Sequence, residues 1–244
     1  MKNIKLIIEY DGTNYHGWQI QKNADTIQGI LKDTIKTLTG EEVTLNGSGR
    51  TDSKVHAYEQ VANFKTSSNI PAQKFSYALN SMLPKDIVIK KSERVEMDFH
   101  ARFNVQGKMY RYLIYNSKFP SAILRDRAWH ISYNLNFEDM KRATAFFMGT
   151  HDFSAFKASG SSVKSSIRTI TYISLDKNDD IISLEIAGDG FLYNMVRIIT
   201  GTLIDVGMGK IKPENIKDII EGLDRKRAGK TAVPEGLYLV KVYY

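Results

Sequence analysis

The sequence predicts an α+β protein of two related subdomains, residues 1–105 and 106–244. Short runs of alternating or β-branched residues interleave with longer runs of helical period, and that pattern passes along the chain twice. The stretch 99–107 has no periodicity and carries His100 and Arg102, which makes it the join. The 244 residues suffice for one large domain or two modest ones, each with its own core.

Residues 5–10 alternate as a strand, which Asp11-Gly12 ends. Asp25 or Thr26 caps a helix that carries Ile27, Ile30, Leu31, Ile35 and Leu38 on one face and stops at Gly40. Residues 43–45 and 55–64 read as strands. Residues 71–83 read as a helix with proline in its first turn, and 86–95 as a further strand. The second pass opens with a strand at 109–115, rich in aromatic and β-branched residues. A helix follows over 137–148, then a hairpin of 167–175 with 181–186, a long apolar helix over 191–206, a short helix over 213–222 and a closing strand at 237–242. The Ser/Gly/Lys stretch 158–166 reads as a surface loop, too short to separate domains.

The formal net charge of +7 invites an anionic partner. Residues 1–105 carry 14 basic against 12 acidic side chains and residues 106–244 carry 20 against 15, so most of the excess lies in the second half. Between 153 and 175 stand Lys157, Lys164 and Arg168 and no acid, a stripe suited to phosphate. No run approaches the ~18 apolar residues of a membrane span. The first nine residues lack the layout of a signal peptide, so a cytoplasmic protein is expected. The absence of cysteine excludes disulfides, thiolate nucleophiles and cysteine metal sites. Gly47-Ser48-Gly49 lacks the third glycine of a dinucleotide fingerprint, and Gly209-Lys210 lacks the rest of a P-loop. His16, His56, His100, His130 and His151 show no metal-ligand spacing.

One segment stands apart: Gly49-Arg50-Thr51-Asp52-Ser53-Lys54-Val55-His56-Ala57. A guanidinium two residues from a carboxylate keeps that carboxylate ionised, and an ionised aspartate can act as a nucleophile. A turn aspartate that accepts backbone N–H groups and pairs with Arg50 has the same spacing. Spacing does not separate the two.

The segment resembles the signature of the tRNA pseudouridine synthases of the TruA family, and five more segments do so in the family's order. They are Tyr10-Asp11-Gly12-Thr13-Asn14-Tyr15-His16-Gly17-Trp18-Gln19; Lys108-Met109-Tyr110-Arg111-Tyr112; and Gly149-Thr150-His151-Asp152-Phe153-Ser154-Ala155-Phe156 with Arg168-Thr169-Ile170 behind it. Further on come Gly188-Asp189-Gly190-Phe191-Leu192-Tyr193-Asn194-Met195-Val196-Arg197 and Thr231-Ala232-Val233-Pro234-Glu235-Gly236-Leu237-Tyr238-Leu239.

The resemblance implies an enzyme that isomerises uridine to pseudouridine at positions 38–40 of the tRNA anticodon stem-loop. It implies two pseudo-symmetric subdomains sharing a mostly antiparallel sheet with helices on the outer face and the active cleft between them. It also implies a homodimer with tRNA contacting both subunits, and no cofactor or catalytic metal. By the same carry-over Asp52 is the catalytic aspartate and Tyr110 the flat ring that stacks on the extruded uracil, offsetting part of the cost of flipping. Arg50 fills the space the nucleotide leaves or binds a phosphate, and Arg197 resembles the arginine that pairs with the aspartate. The chain departs from the pattern after Asp52. The family usually has Ala-Gly or Ser-Gly there, and this chain has Ser53-Lys54. If that position takes a positive φ, lysine costs about 1 kcal/mol or more, and a lysine there could bind phosphate. Two rivals remain: a non-catalytic RNA-binding protein on the same scaffold, and an N-glycosidase that cleaves without rejoining.

Overall fold

Alternation in the first residues makes β1 (Lys2–Tyr10), whose Ile4, Leu6 and Ile8 are wholly buried. The computed structural model describes residues 1–160 and 163–244, and the chain divides into two compact units, Met1–Gln106 with Tyr238–Tyr244, and Gly107–Leu237. The loop expected at 158–166 falls in part on Ser161 and Ser162, which lie outside the described residues.

In the first unit α1 (Ile27–Thr39) is built as its sequence asks. The Thr26 hydroxyl accepts the Gly29 N–H, Ile27, Leu31 and Ile35 are buried, and Gly40 ends the helix at φ 73°. Residues 43–45 are not a strand. Val43 and Leu45 are buried, which produces the alternation, but only β2 (Asn46–Gly47) pairs with β3 (His56–Thr66), and the Leu45 carbonyl accepts from the Gln28 side chain instead. The helix expected over 71–83 is shorter and split, a 3₁₀ turn at Ala72–Lys74 followed by α2 (Phe75–Asn80). Asn80 turns its amide onto the Ile89 backbone, accepting at 2.7 Å and donating at 3.0 Å, and so fixes α2 to β4 (Ile87–Val95). The strand order is β4-β1-β3, antiparallel throughout, with Ile4 opposite Phe64 on one side and Arg94 on the other.

The second unit opens with β5 (Gly107–Asn116), beside which β6 (Trp129–Ile131) runs parallel. Helix α3 (Phe137–Thr144) is capped by Asn136 and tightens into a 3₁₀ turn at Ala145–Phe147 before Gly149, so the last turn of the expected helix is not α-helical. Strands β7 (Gly149–Asp152), β8 (Ile167–Asn178) and β9 (Ile181–Gly188) complete an antiparallel order β5-β9-β8-β7. The apolar helix α4 (Met195–Gly207) begins four residues later than its composition suggests, because Asn194 sits at φ 61° and blocks its extension toward Phe191. Helix α3 packs on α4 and β8, and α5 (Asn215–Glu221) follows. The chain then returns to the first unit as β10 (Leu237–Tyr243), parallel to β3 with Tyr238 opposite His56. The protein is thus α+β with mostly antiparallel pairing. No helix among the described residues is long and apolar enough to cross a membrane.

Candidate active site

Asp52 heads a β-turn between β2 and β3. The Val55 N–H donates to the Asp52 carbonyl at 3.2 Å, and the third residue of the turn, Lys54, has φ 64°. A type II turn needs positive φ at that position and favours glycine there. For lysine the left-handed backbone costs roughly 1–2 kcal/mol. Asp52 is half-buried, whereas Arg50 and Lys54 are exposed.

The turn is held by the segment that follows β1. The Lys54 N–H and the Ser53 hydroxyl both donate to the Tyr15 carbonyl, at 3.1 and 3.2 Å, and the Trp18 N–H donates to the Thr51 carbonyl at 3.1 Å. Gly12 lies so close that a Cβ there would stand 2.1 Å from the Val55 carbonyl oxygen. Its N–H donates to His56 Nδ1 at 3.0 Å, and Asp11 Oδ1 is 3.1 Å from the same nitrogen. One nitrogen serves one partner at a time: neutral it accepts from Gly12, protonated it donates to Asp11. The His56 ring stacks on Tyr238 at 4.7 Å, and Tyr238 on Tyr58 at 5.4 Å. Beneath the turn the Tyr10 hydroxyl meets that of Thr51 at 2.8 Å. Burial pushes the Tyr10 phenol above its usual pKa, and hydrogen bonds with Thr51 and Gln60 act in the opposite sense. The Tyr10-to-Gln19 segment is therefore the clamp on the Asp52 turn, which gives a physical reason for the two motifs to occur together.

Tyr110 and Arg197 belong to the second unit. Tyr110 is 9% exposed on β5, its ring meeting Phe191 edge-on at 5.1 Å. Tyr112, two residues along and so on the same face, is fully buried and donates to the Val233 carbonyl at 2.6 Å. Arg197 occupies the first turn of α4, half-buried. Its Nε donates to the Ala232 carbonyl and an Nη to Asn194 Oδ1, both at 2.8 Å, while its own carbonyl accepts the Ala232 N–H at 3.0 Å. Burial drives the Tyr112 pKa well up; the Arg197 charge opposes this and that of Glu235 adds to it, so the three side chains share one electrostatic neighbourhood. The segment that receives Arg197 lies directly on α4. A Cβ on Gly201 would be 1.7 Å from the Lys230 carbonyl oxygen, and the Gly229 N–H donates to Thr202 Oγ1 at 2.9 Å. Asp189 and Thr169 are tied reciprocally, Asp189 N–H to the Thr169 carbonyl at 3.2 Å and Thr169 N–H to Asp189 Oδ1 at 3.0 Å. That pair joins the Arg168-Thr169-Ile170 and Gly188-Asp189-Gly190 segments.

The structure thus places Arg50 and Asp52 on one turn of the first unit, and sets Arg197 near Tyr112 on the strand that carries Tyr110. Thr51, Tyr10, Asn194, Phe191 and Tyr112 were not singled out by sequence reasoning. Each stands inside a segment that resembles the family, but no periodicity marks the contacts they make. Among the described residues no group of three or more histidine, aspartate or glutamate side chains could hold a metal ion.

The family model for tRNA pseudouridine synthase matches residues 6–104 and 143–244. The tRNA pseudouridine synthase A of Acetivibrio thermocellus is 66% identical over 244 residues and that of Thermoanaerobacter sp. 57%, each alignment covering 100% of both chains. The corresponding protein of Ruminiclostridium cellulolyticum is 57% identical over 248 residues, again with 100% of both chains covered. Similarity that runs the full length and takes in both the Asp52 turn and the α4 segment leaves one assignment, and the chain belongs to the tRNA pseudouridine synthase family.

Proposed function

We propose that the chain is an isomerase that converts uridine to pseudouridine at positions 38–40 of the tRNA anticodon stem-loop. The observation that carries this reading is end-to-end identity of 66% with a protein named tRNA pseudouridine synthase A. The clamped turn under Asp52 supports it, because a carboxylate that must meet one sugar atom needs a backbone that does not wander.

On this reading the target uridine leaves its stack at a cost of a few kcal/mol. Asp52 acts on the nucleoside sugar, at C1′ or by the alternative at the 2′ position. The N1–C1′ bond breaks, the uracil turns, and C5 joins C1′. The base loses a hydrogen from C5 and gains one at N1, so substrate and product are isomers. Tyr110, its ring set edge-on to Phe191, supports the base. Arg197, held by Ala232 and Asn194, binds the substrate, and Arg50 takes the place of the flipped nucleotide or binds a backbone phosphate. The enzyme works as a homodimer in the cytoplasm, with tRNA touching both subunits; light scattering of the purified protein would check the dimer.

The test is release of tritium from tRNA transcripts labelled at uridine C5. Wild type is expected to release it and Asp52→Asn to be slower by roughly 10⁴-fold or more, with tRNA affinity within a few-fold of wild type. An Asp52→Asn protein as fast as wild type would overturn the catalytic assignment. Free uracil among the products would point to an N-glycosidase, and binding without tritium release to a non-catalytic RNA-binding protein.

A further inference from the structure

Lys54 sits in a backbone conformation that suits glycine, and its neighbours impose that conformation. Its N–H is committed to the Tyr15 carbonyl, and the Asp52–Val55 hydrogen bond closes the turn around it. Gly12 presses on the same peptide, since a Cβ there would lie 3.1 Å from the Lys54 carbonyl carbon as well as 2.1 Å from the Val55 oxygen. The turn therefore cannot relax to a negative φ without displacing the segment that holds Asp52. Glycine would satisfy φ 64° with no steric penalty, and asparagine with little. Lysine is neither, and its side chain is exposed. Strain held in place by surrounding structure and located beside reacting groups is where a function for the side chain is to be sought. A lysine ammonium is a compact, mobile cation that binds phosphate as a point charge. With Arg50 exposed two residues before Asp52 and Lys54 exposed two residues after it, the turn offers a cation on each side of the carboxylate.

We infer that Lys54 is a substrate-contact residue, its ammonium taking a backbone phosphate of the RNA strand that presents the target uridine. The inference rests on the proposed pseudouridine synthase activity, and it assigns to a departure from the family pattern a share of RNA binding that a glycine could not supply.

The test compares Lys54→Gly, Lys54→Gln and Lys54→Arg with wild type on unmodified tRNA transcripts at several salt concentrations. Lys54→Gly should melt about 2–4 °C higher than wild type through relief of strain, yet raise KM roughly 3- to 10-fold with kcat within about two-fold. Lys54→Gln keeps a side chain in the left-handed turn, so it should show the same KM increase without the gain in melting temperature. In both, the slope of log kcat/KM against log salt should fall in magnitude by about 0.7–0.9, the loss of one phosphate contact. Lys54→Arg should keep the wild-type slope. If Lys54→Gly is more stable but has unchanged KM and salt slope, Lys54 is only a strained turn residue and the inference falls alone. It falls likewise if Lys54→Gln changes kcat and its pH profile at constant KM, because the lysine then acts on Asp52 rather than on RNA. A wild-type protein that releases no tritium takes down this inference together with the activity on which it rests.

Discussion

The hydroxyl of Tyr10, at the end of β1, meets that of Thr51 at 2.8 Å, and both side chains are buried. The residue immediately before Asp52 is thereby anchored to the last residue of β1, the strand between β4 and β3. Tyr10→Phe should cost about 1–2 kcal/mol, because it leaves the Thr51 hydroxyl short of a partner in a dry site. Thr51→Val should cost less, since the Tyr10 hydroxyl keeps its hydrogen bond to Gln60. Urea unfolding of the two single variants and the double variant gives the coupling, expected at about 0.5–3 kcal/mol. Additive single effects would show that the two hydroxyls do not depend on each other.

Two glycines of the first unit should respond oppositely to the same substitution. Gly12→Ala places a Cβ against the Val55 carbonyl, so either residues 11–15 or the Asp52 turn must move. A stability loss of about 1–3 kcal/mol is expected, together with a drop in kcat of at least ten-fold. Gly40→Ala also suffers a positive φ, but nothing lies within 4 Å of the added carbon. It should cost roughly 1 kcal/mol and leave turnover unchanged. Equal loss of turnover in the two variants would mean that general destabilisation, and not the geometry of the turn, governs activity.

Alkaline pH should unfold the protein through its buried phenols. Burial raises the Tyr10 and Tyr112 pKa values above the ordinary 10.0, so the folded state holds these protons after the unfolded chain has lost them. The unfolded state then binds fewer protons, and stability falls as pH rises; the contribution is whole below about pH 10 and is lost above it. Urea midpoints measured from pH 8 to pH 11 should stay level and then drop, and Tyr10→Phe should drop less steeply than wild type. A midpoint that is flat across that range, or the same slope in Tyr10→Phe, would contradict the assignment.

What the sequence made legible was local. Helix α1 could be read because Thr26, the apolar stripe and Gly40 each act within one turn of the helix they define. The signature around Asp52 could be found for a similar reason, being contiguous. Its support could not, because the Tyr15 carbonyl and Gly12 approach the turn from some forty positions away, and no periodicity encodes that meeting. Val43 and Leu45 misled because burial alternates there without a ladder, while β6 at Trp129–Ile131 is too short to show a period at all. Phe191 and Leu192 looked helical by composition, and the one dihedral angle that excludes them, at Asn194, is set by the chain around it. Tyr110 and Arg197 could be named from resemblance alone. That Arg197 is gripped from both sides, by Asn194 just before its helix and by Ala232 beyond it, is a meeting no local pattern encodes.

Strand β10 runs alongside β3 at His56 and Ala57, just past the Asp52 turn, and stacks Tyr238 on His56. The first unit is therefore discontinuous in the chain, and its open edge is closed by residues made long after the turn itself. During synthesis on the ribosome the segment bearing Asp52 has to wait, with β3 lacking its neighbour beside His56 and Ala57, until residues 238–244 have been released. A nascent or prematurely terminated product would thus carry the carboxylate on an unfinished sheet. The order of translation itself delays a finished sheet around Asp52 until Tyr238–Tyr244 have left the tunnel.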